Sequence, residues 1–359
     1  MYLRRLEVHG VRVLRSLELE ASPGLNVLFG LNGAGKTSVL ESVHVLGTGR
    51  SFRGRKVEGL IRWGTDSLQI CGEVEREGQE SVRLGVVRNL NGTARIRVNG
   101  ADRRGFGASA RELPLAVFCP ESQGLVVGQP ERRRALMDWA LFHVEPGYGE
   151  GIQRYRRALR QRNLALQSRL GRAEARAWEP ELQEESCRLD SWRRAYVEKV
   201  TPYVTSFLDR LRGLPLEIVY RRGWALELPL ADALEANWGT DSTRGWTSHG
   251  PHSADLCLRV EGQLVRDVLS RGEIRTVAAA LMLAHVAYLK ATTGRPAVIL
   301  ADDVSSELDA VARAWFLAEL ADLRCQAFLT AVELQLLAIP KTIEQRLFHV
   351  EQGQLTSLV

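Results

Sequence analysis

A chain of 359 residues that is 45% hydrophobic and 25% charged has the make-up of one large or two ordinary globular domains, with enough apolar residues for a sizeable core. Nothing in it reads as a secretory leader or a membrane span, and Cys71, Cys119, Cys187, Cys257 and Cys325 are too scattered for a disulfide frame or a zinc site, so a cytoplasmic protein with no membrane role is expected. The formal net charge of +5 rests on 48 basic residues of which five are lysines; a genome rich in G and C explains that bias, and arginine also suits bidentate contacts to phosphate.

From Met1 to Phe29 the alternation of Leu3, Leu6 and Val8, then Val13, Leu17 and Leu19, predicts strands broken at Gly10 and at Pro23-Gly24. Arg12 falls on the first hairpin, where a basic side chain is either solvated or a neighbour of a bound nucleotide. The apolar run Leu25, Val27, Leu28, Phe29 predicts a short buried strand, and Ser38 to Val43 the first turns of a helix. Between them Gly30, Leu31, Asn32, Gly33, Ala34, Gly35, Lys36 and Thr37 fit the phosphate-loop pattern G-x-x-x-x-G-K-[ST], in the strand, loop, helix order that its chemistry requires. The glycines let backbone amides wrap a phosphate at a helix N-terminus, with Ser38 in the first turn. Lys36 reaches the β- and γ-phosphates, and Thr37 offers a hydroxyl to Mg2+. ATP and Mg2+ are the expected ligands.

A Gly-rich basic stretch follows, Gly47 to Lys56 with Arg50, Arg53 and Arg55, which is a solvated loop or a phosphate contact. Ser67 to Val98 predicts antiparallel strands turning at Glu77-Gly78, Asn91-Gly92 and Asn99-Gly100. Leu115 to Phe118 predicts another buried strand, closed by Pro120, and Gln123 just beyond it is a candidate for the Mg2+ shell. Between Gly151 and Leu211 two apolar stripes, one through Tyr155 and Leu166 and one through Leu189, Tyr196 and Phe207, predict two helices folded back near Glu179-Pro180. Seven arginines and no acidic residue lie between Gly151 and Ala173. Such a face repels itself unless something negative lies against it, which makes Arg154, Arg156, Arg160 and Arg169 candidate contacts to a DNA backbone, the alternatives being an acidic partner surface or a merely solvated face. Leu216, Ile218 and Tyr220, then Leu226 and Leu228, return to strand character. Trp238 to Asp255 reads as loop, and its His249 and His252 have no third ligand spaced to join them in a metal site.

Leu269-Ser-Arg-Gly-Glu precedes an apolar helix from Ile274 to Leu289, so Ser270 and Gly272 can bind a phosphate by hydroxyl, amide and dipole together. One loop already wraps the triphosphate in its own subunit, so this second turn is expected to serve the nucleotide of another molecule, in an ATP-dependent homodimer. Ala297 to Ala301 then predicts a buried strand ending in two carboxylates. Asp302 is placed to hold Mg2+ through water, and Asp303 to orient or deprotonate the attacking water; the plainer alternative is a cap for the next helix.

These motifs in this order resemble the ATP-binding-cassette class, and within it the head domains of chromosome-maintenance and repair ATPases; the nearest likeness is to the RecF family of bacterial recombination mediators. The likeness is carried by Gly30 to Thr37, Ser51-Phe-Arg53, Pro130-Glu-Arg-Arg133 with Asp138, Gly250-Pro-His252 with Asp255, Ser270-Arg-Gly272 and Asp302 to Asp309. The fold class it implies is α/β: a cassette-type P-loop ATPase head, with a mixed sheet and a flanking antiparallel β meander, at 1–122 and 246–359, and a mainly helical lobe with a hairpin at 123–245. It further implies a weak, DNA-stimulated ATPase that dimerises on ATP, binds double-stranded and gapped or junction DNA, and works with RecO and RecR to load RecA at single-stranded gaps. Three departures stand out: Asp303 where the class usually has Glu, Thr330 and Ala331 where a switch histidine is usual, and Glu273 in place of the commoner Gln. Asp reaches less far than Glu, so slow turnover is expected. A transporter's nucleotide-binding subunit would share the same motifs, and a chromosome-maintenance head would need a coiled coil far longer than Gly151 to Leu211 allows.

Overall fold

The computed structural model describes residues 1–54, 56–168, 171–211, 213–339 and 344–358. They form two compact units, Met1–Gln123 with Arg271–Val359, and Gly124–Ser270. The break expected at residue 246 thus lies inside the second unit, because Asp255–Val260 is zipped in antiparallel register to Leu216–Arg221.

The first unit opens with β1 (Tyr2–Val11), β2 (Leu14–Glu20) and β3 (Leu25–Phe29), followed by helix α1 (Lys36–Thr48). The expected meander is β4 (Ser67–Glu75), β5 (Val82–Asn89), β6 (Ala94–Val98) and β7 (Ala101–Arg103), after which come α2 (Gly107–Glu112) and β8 (Leu115–Phe118). In β2 every second or third residue is buried and in β4 every second one, as strands with one covered face require.

The second unit follows in the chain. It contains α3 (Pro130–Val144), α4 (Tyr148–Gln167), α5 (Arg172–Arg176), α6 (Glu179–Asp209), β9 (Leu216–Arg221), α7 (Leu230–Ala236), α8 (Trp238–Arg244), β10 (Asp255–Val260), β11 (Gln263–Leu264) and α9 (Val265–Val268). Helices α4 and α6 make the expected hairpin, with Pro180 in the first turn of α6, where a missing N–H costs nothing. They run antiparallel, since Arg154 pairs with Glu185 while Arg162, further along α4, pairs with Glu179. Two expectations fail here. Leu226 and Leu228 form no strand, because the Arg222 guanidinium gathers the carbonyls of Ala225, Leu226 and Leu228 into a turn. The stretch read as loop from Trp238 carries the two-turn helix α8.

The chain then returns to the first unit with α10 (Arg271–Thr293), β12 (Val298–Ala301), α11 (Val304–Glu307), α12 (Ala310–Leu323), β13 (Ala327–Ala331), β14 (Gln345–Glu351) and β15 (Gln354–Leu358). Its two sheets have the orders β2-β1-β4-β5-β6-β7, all antiparallel, and β15-β14-β3-β13-β12-β8, mixed. In the mixed sheet β14, β3, β13, β12 and β8 run parallel and β15 antiparallel. Strand β12 is buried at every position, as a parallel strand covered on both faces must be. A single apolar cluster, with Leu6, Val8, Val39, Val43, Ile70, Leu300 and Phe328 among its members, joins the two sheets through α1. The phosphate loop is therefore mounted on rigid elements at both of its ends.

Candidate functional site

The loop between β3 and α1 takes its shape from glycines that no other residue could replace. Gly30 has φ 147°, and a Cβ there would collide with the Val350 carbonyl; Gly35 has φ 115° immediately before α1. The cavity beside the loop has a volume of about 400 Å³ and is lined by Asn32, Gly33, Gly35, Lys36, Thr37 and Ser38, by Arg12, Val13 and Arg53, and by Pro120, Asp302, Asp303 and Thr330. Both ends of the first unit's chain supply its walls. Leu31 lies at the exposed tip of the loop, and Ala34 is buried beneath it.

Lys36 is 8% exposed, and its ammonium donates to the carbonyls of Gly30 at 2.6 Å and Leu31 at 2.9 Å. Burial lowers its pKa, while the Asp303 and Asp302 carboxylates pull the other way. The Thr37 hydroxyl donates to Asp302 Oδ1 at 2.9 Å. Asp302 is 3% exposed; burial raises its pKa, and the hydroxyls of Thr330 and Thr37, with Arg53 nearby, oppose that rise. A buried carboxylate facing a threonine hydroxyl is an all-oxygen donor set with an unmet demand for positive charge, which fits Mg2+ and suits zinc poorly. Thr37 and Asp302 would hold that ion. Asp303 adopts the left-handed conformation, φ 54° and ψ 47°, and its Oδ1 accepts from the Ser306 hydroxyl at 2.9 Å. The helix-cap alternative for the carboxylate pair does not hold: Asp303 makes no side-chain cap bond to α11, and it is Asp309 that caps α12, through the Ala312 N–H.

Gln123 stands apart from this group. It is exposed on the short turn after β8, and of that turn only Pro120 lines the cavity. Ser270 and Gly272 are also exposed, at the start of the 23-residue helix α10.

One carboxylate was not singled out from the sequence. Glu41, on α1, is fully buried; it accepts from the Ser51 hydroxyl at 2.5 Å and pairs with Arg12 at 2.9 Å. Burial raises its pKa, and Ser51 and Arg12 counter that. Glu41 thereby ties the β1–β2 hairpin, which carries Arg12, and the loop after α1, which carries Arg53, to the helix that begins at the phosphate loop. An acidic residue one helical turn beyond Thr37 on an otherwise buried face is the signal that could have exposed it.

The arginine-rich face of α4 is not left to repel itself, because acidic partners reach it from other elements of the second unit, with Glu150 of α4 itself 3.9 Å from Arg154. Arg154 pairs with Glu185 of α6 at 2.6 Å, and Arg156 with Asp138 of α3 at 3.3 Å. Arg162 is wholly buried, held by Glu179, Asp241 and Thr247 at 3.1, 3.0 and 2.7 Å. Arg160 is exposed, and Arg169 lies outside the described residues. The motif residues of this unit are tied into one network: Arg133 makes a bidentate pair with Asp255, and Arg193 of α6 bonds both Asp138, at 2.7 Å, and the Pro251 carbonyl. The His252 ring is occupied on both sides, by the Tyr155 hydroxyl and the Thr247 carbonyl.

A family profile described as the RecF/RecN/SMC N terminal domain matches residues 2–355. The chain is 38% identical over 358 residues to a protein of Thioalkalivibrio sulfidiphilus (strain HL-EbGR7) named DNA replication and repair protein RecF, with 99% of each covered. It is 39% identical over 362 residues to the protein of that name from Stutzerimonas stutzeri (strain A1501), covering 100% of this chain and 98% of the relative. A solved structure described as the recombination mediator protein RecF with ATP in the RecFOR pathway superposes with a TM-score of 0.90 at 26% identity, covering 100% of this chain and 98% of that one. A Smc head bound to the C-winged helix domain of ScpA matches at TM-score 0.62 and 14% identity over 100% and 98% of the chains, and shares the fold alone.

Proposed function

The chain belongs to the RecF family within the RecF/RecN/SMC N-terminal-domain group, and from that premise we propose that it is an ATP-dependent, DNA-binding recombination mediator acting at single-stranded gaps and stalled forks. The observation that carries the reading is the division of the nucleotide machinery. Lys36, Thr37, Asp302 and Asp303 converge on one cavity, while Ser270 and Gly272 are exposed at the start of α10. In this reading the cavity is half a site, and the exposed turn at Ser270 and Gly272 is the half a second copy would supply.

In this reading the loop amides and Lys36 bind the triphosphate, and Lys36 exchanges its own carbonyl partners for phosphate oxygens. Thr37 and Asp302 would hold Mg2+, which when bound would supply positive charge to offset that of the triphosphate. Asp303 orients the attacking water and takes its proton, and the shorter reach of Asp keeps turnover slow. Ser270 and Gly272 of a second copy close over the γ-phosphate, so ATP joins two chains and hydrolysis releases them. DNA binds through arginines, of which Arg160 is exposed and Arg154 and Arg156 can exchange carboxylates for phosphates. Partners equivalent to RecO and RecR then receive the DNA-bound dimer, in the cytoplasm, and RecA is loaded.

Sedimentation velocity with ATP and Mg2+, with and without duplex and gapped DNA, tests the reading in one experiment. A dimer that requires ATP, and a DNA complex that requires the dimer, are expected from the wild-type chain and not from Lys36→Ala. A monomer under every condition would sink it.

A further inference from the structure

Thr330 lies near the end of β13 and is 1% exposed. Its hydroxyl makes two contacts of opposite sense: it accepts from the Asp303 backbone N–H at 2.7 Å and donates to Asp302 Oδ1 at 2.8 Å. A threonine hydroxyl has a single proton, so donating to the carboxylate and accepting from the amide fixes its rotation. The sheet puts it there. Leu329 pairs with Ala301 in parallel register, so the next residue of β13 faces the two carboxylates just where β12 stops.

The second observation is the backbone of Asp303. At φ 54° Asp303 sits in the left-handed region, which aspartate enters more readily than most side chains and which hydrogen bonds can hold in place. Here the Asp303 carbonyl accepts from the N–H groups of Ser306 and Glu307, and its own N–H is taken by Thr330. The left-handed turn is therefore pinned on both of its peptide faces, and one of the two pins is a side chain from the neighbouring strand.

We infer that Thr330 is the positioning residue of the hydrolytic site. One hydroxyl fixes the peptide that aims the Asp303 carboxylate and keeps the Asp302 carboxylate from rotating away from Thr37. Neither task calls for contact with nucleotide, and both depend on the hydroxyl and not on the volume of the side chain. Thr330 thereby couples the metal-holding carboxylate to the water-directing one, so that a disturbance of β13 reaches both. This rests on the ATPase reading given above.

The test compares full-length wild type, Thr330→Val and Thr330→Ser by steady-state ATPase assay and by calorimetric ATP binding, with Mg2+ and with EDTA in its place. Valine keeps the shape and removes the hydroxyl; serine keeps the hydroxyl. The expected result for Thr330→Val is a kcat at least tenfold lower and Mg-ATP binding several-fold weaker, with Mg2+-free ATP affinity within twofold of wild type. Thr330→Ser is expected to recover kcat to within about threefold. A valine variant with wild-type kcat, a serine variant as impaired as valine, or equal losses with and without Mg2+ would each overturn the inference. Should Thr330→Val fail to fold, Thr330→Ala set against Thr330→Ser reads the same contrast. A wild-type chain that binds no ATP overturns the ATPase reading itself, a result distinct from a wild-type chain that hydrolyses ATP no faster than Thr330→Val.

Discussion

Arg162 and Lys36 are both basic residues in motif-rich stretches, yet their surroundings became visible by different routes. That Lys36, Thr37, Asp302 and Asp303 would gather at one cavity could be read from the sequence, because each sits in a short pattern with a defined local geometry. Arg162 could not: its carboxylate partners Glu179 and Asp241 lie 17 and 79 residues further along the chain, and no spacing rule links them to an arginine run. The same blindness hid Glu41, and it left Thr330 visible only as a departure from an expected histidine. Arg162 and Asp241 are both wholly buried, so removing one partner strands the other's charge in a medium that solvates it poorly. Asp241→Ala should cost about 3 to 5 kcal/mol of stability in urea denaturation, whereas a loss under about 1 kcal/mol, the worth of an exposed pair, would show that the buried network is dispensable.

Helix α10 shows how one element can be assigned correctly and still invite a wrong conclusion. Its 23 residues are long and apolar enough to cross a membrane, but most of them are buried, as in a core helix. Its apolar stretch from Ile274 to Leu289 was legible, because a long pattern survives local noise, but its ends at Arg271 and Thr293 were not. The seven-residue helices α7 and α8 were not, since two turns carry too little periodicity to separate from a loop. Within α10, His285 is 1% exposed, bonds to the Leu281 carbonyl, and has its pKa lowered by burial to about 4. The folded chain thus keeps this imidazole neutral while the unfolded chain protonates it near 6.5, and unfolding takes up a proton below that pH. The stabilisation is complete above pH 6.5 and is lost as the pH falls toward 4. The urea midpoint should therefore drop across that window, and His285→Gln should flatten the drop; an unchanged slope in the variant would assign the acid sensitivity to other groups.

For the molecule as a whole, the sequence supplied the α/β head, the helical hairpin and the order of the motifs, but it misplaced the second boundary between units. Asp255–Val260 looks like the start of the return to the ATPase sheet, and only its pairing with Leu216–Arg221 shows which unit it completes. The proposed clamp, closing on ATP and opening on hydrolysis, should stall when the Asp303 carboxylate is neutralised. Asp303→Asn should give an ATP-bound dimer that persists through size exclusion for many times the wild-type lifetime, and rapid dissociation of that variant would remove Asp303 from the hydrolytic step. The discontinuous ATPase unit also bears on how the protein is made. Strand β3, which carries the phosphate loop, lies between β13 and β14, and some 300 residues of synthesis separate it from them. At typical ribosomal speeds β3 leaves the exit tunnel with both edges bare and waits about 15 to 60 s for its neighbours. During that interval no nucleotide can be gripped by a finished site, and the nascent chain relies on α1 and the first antiparallel sheet to shield a strand that would otherwise recruit a stranger.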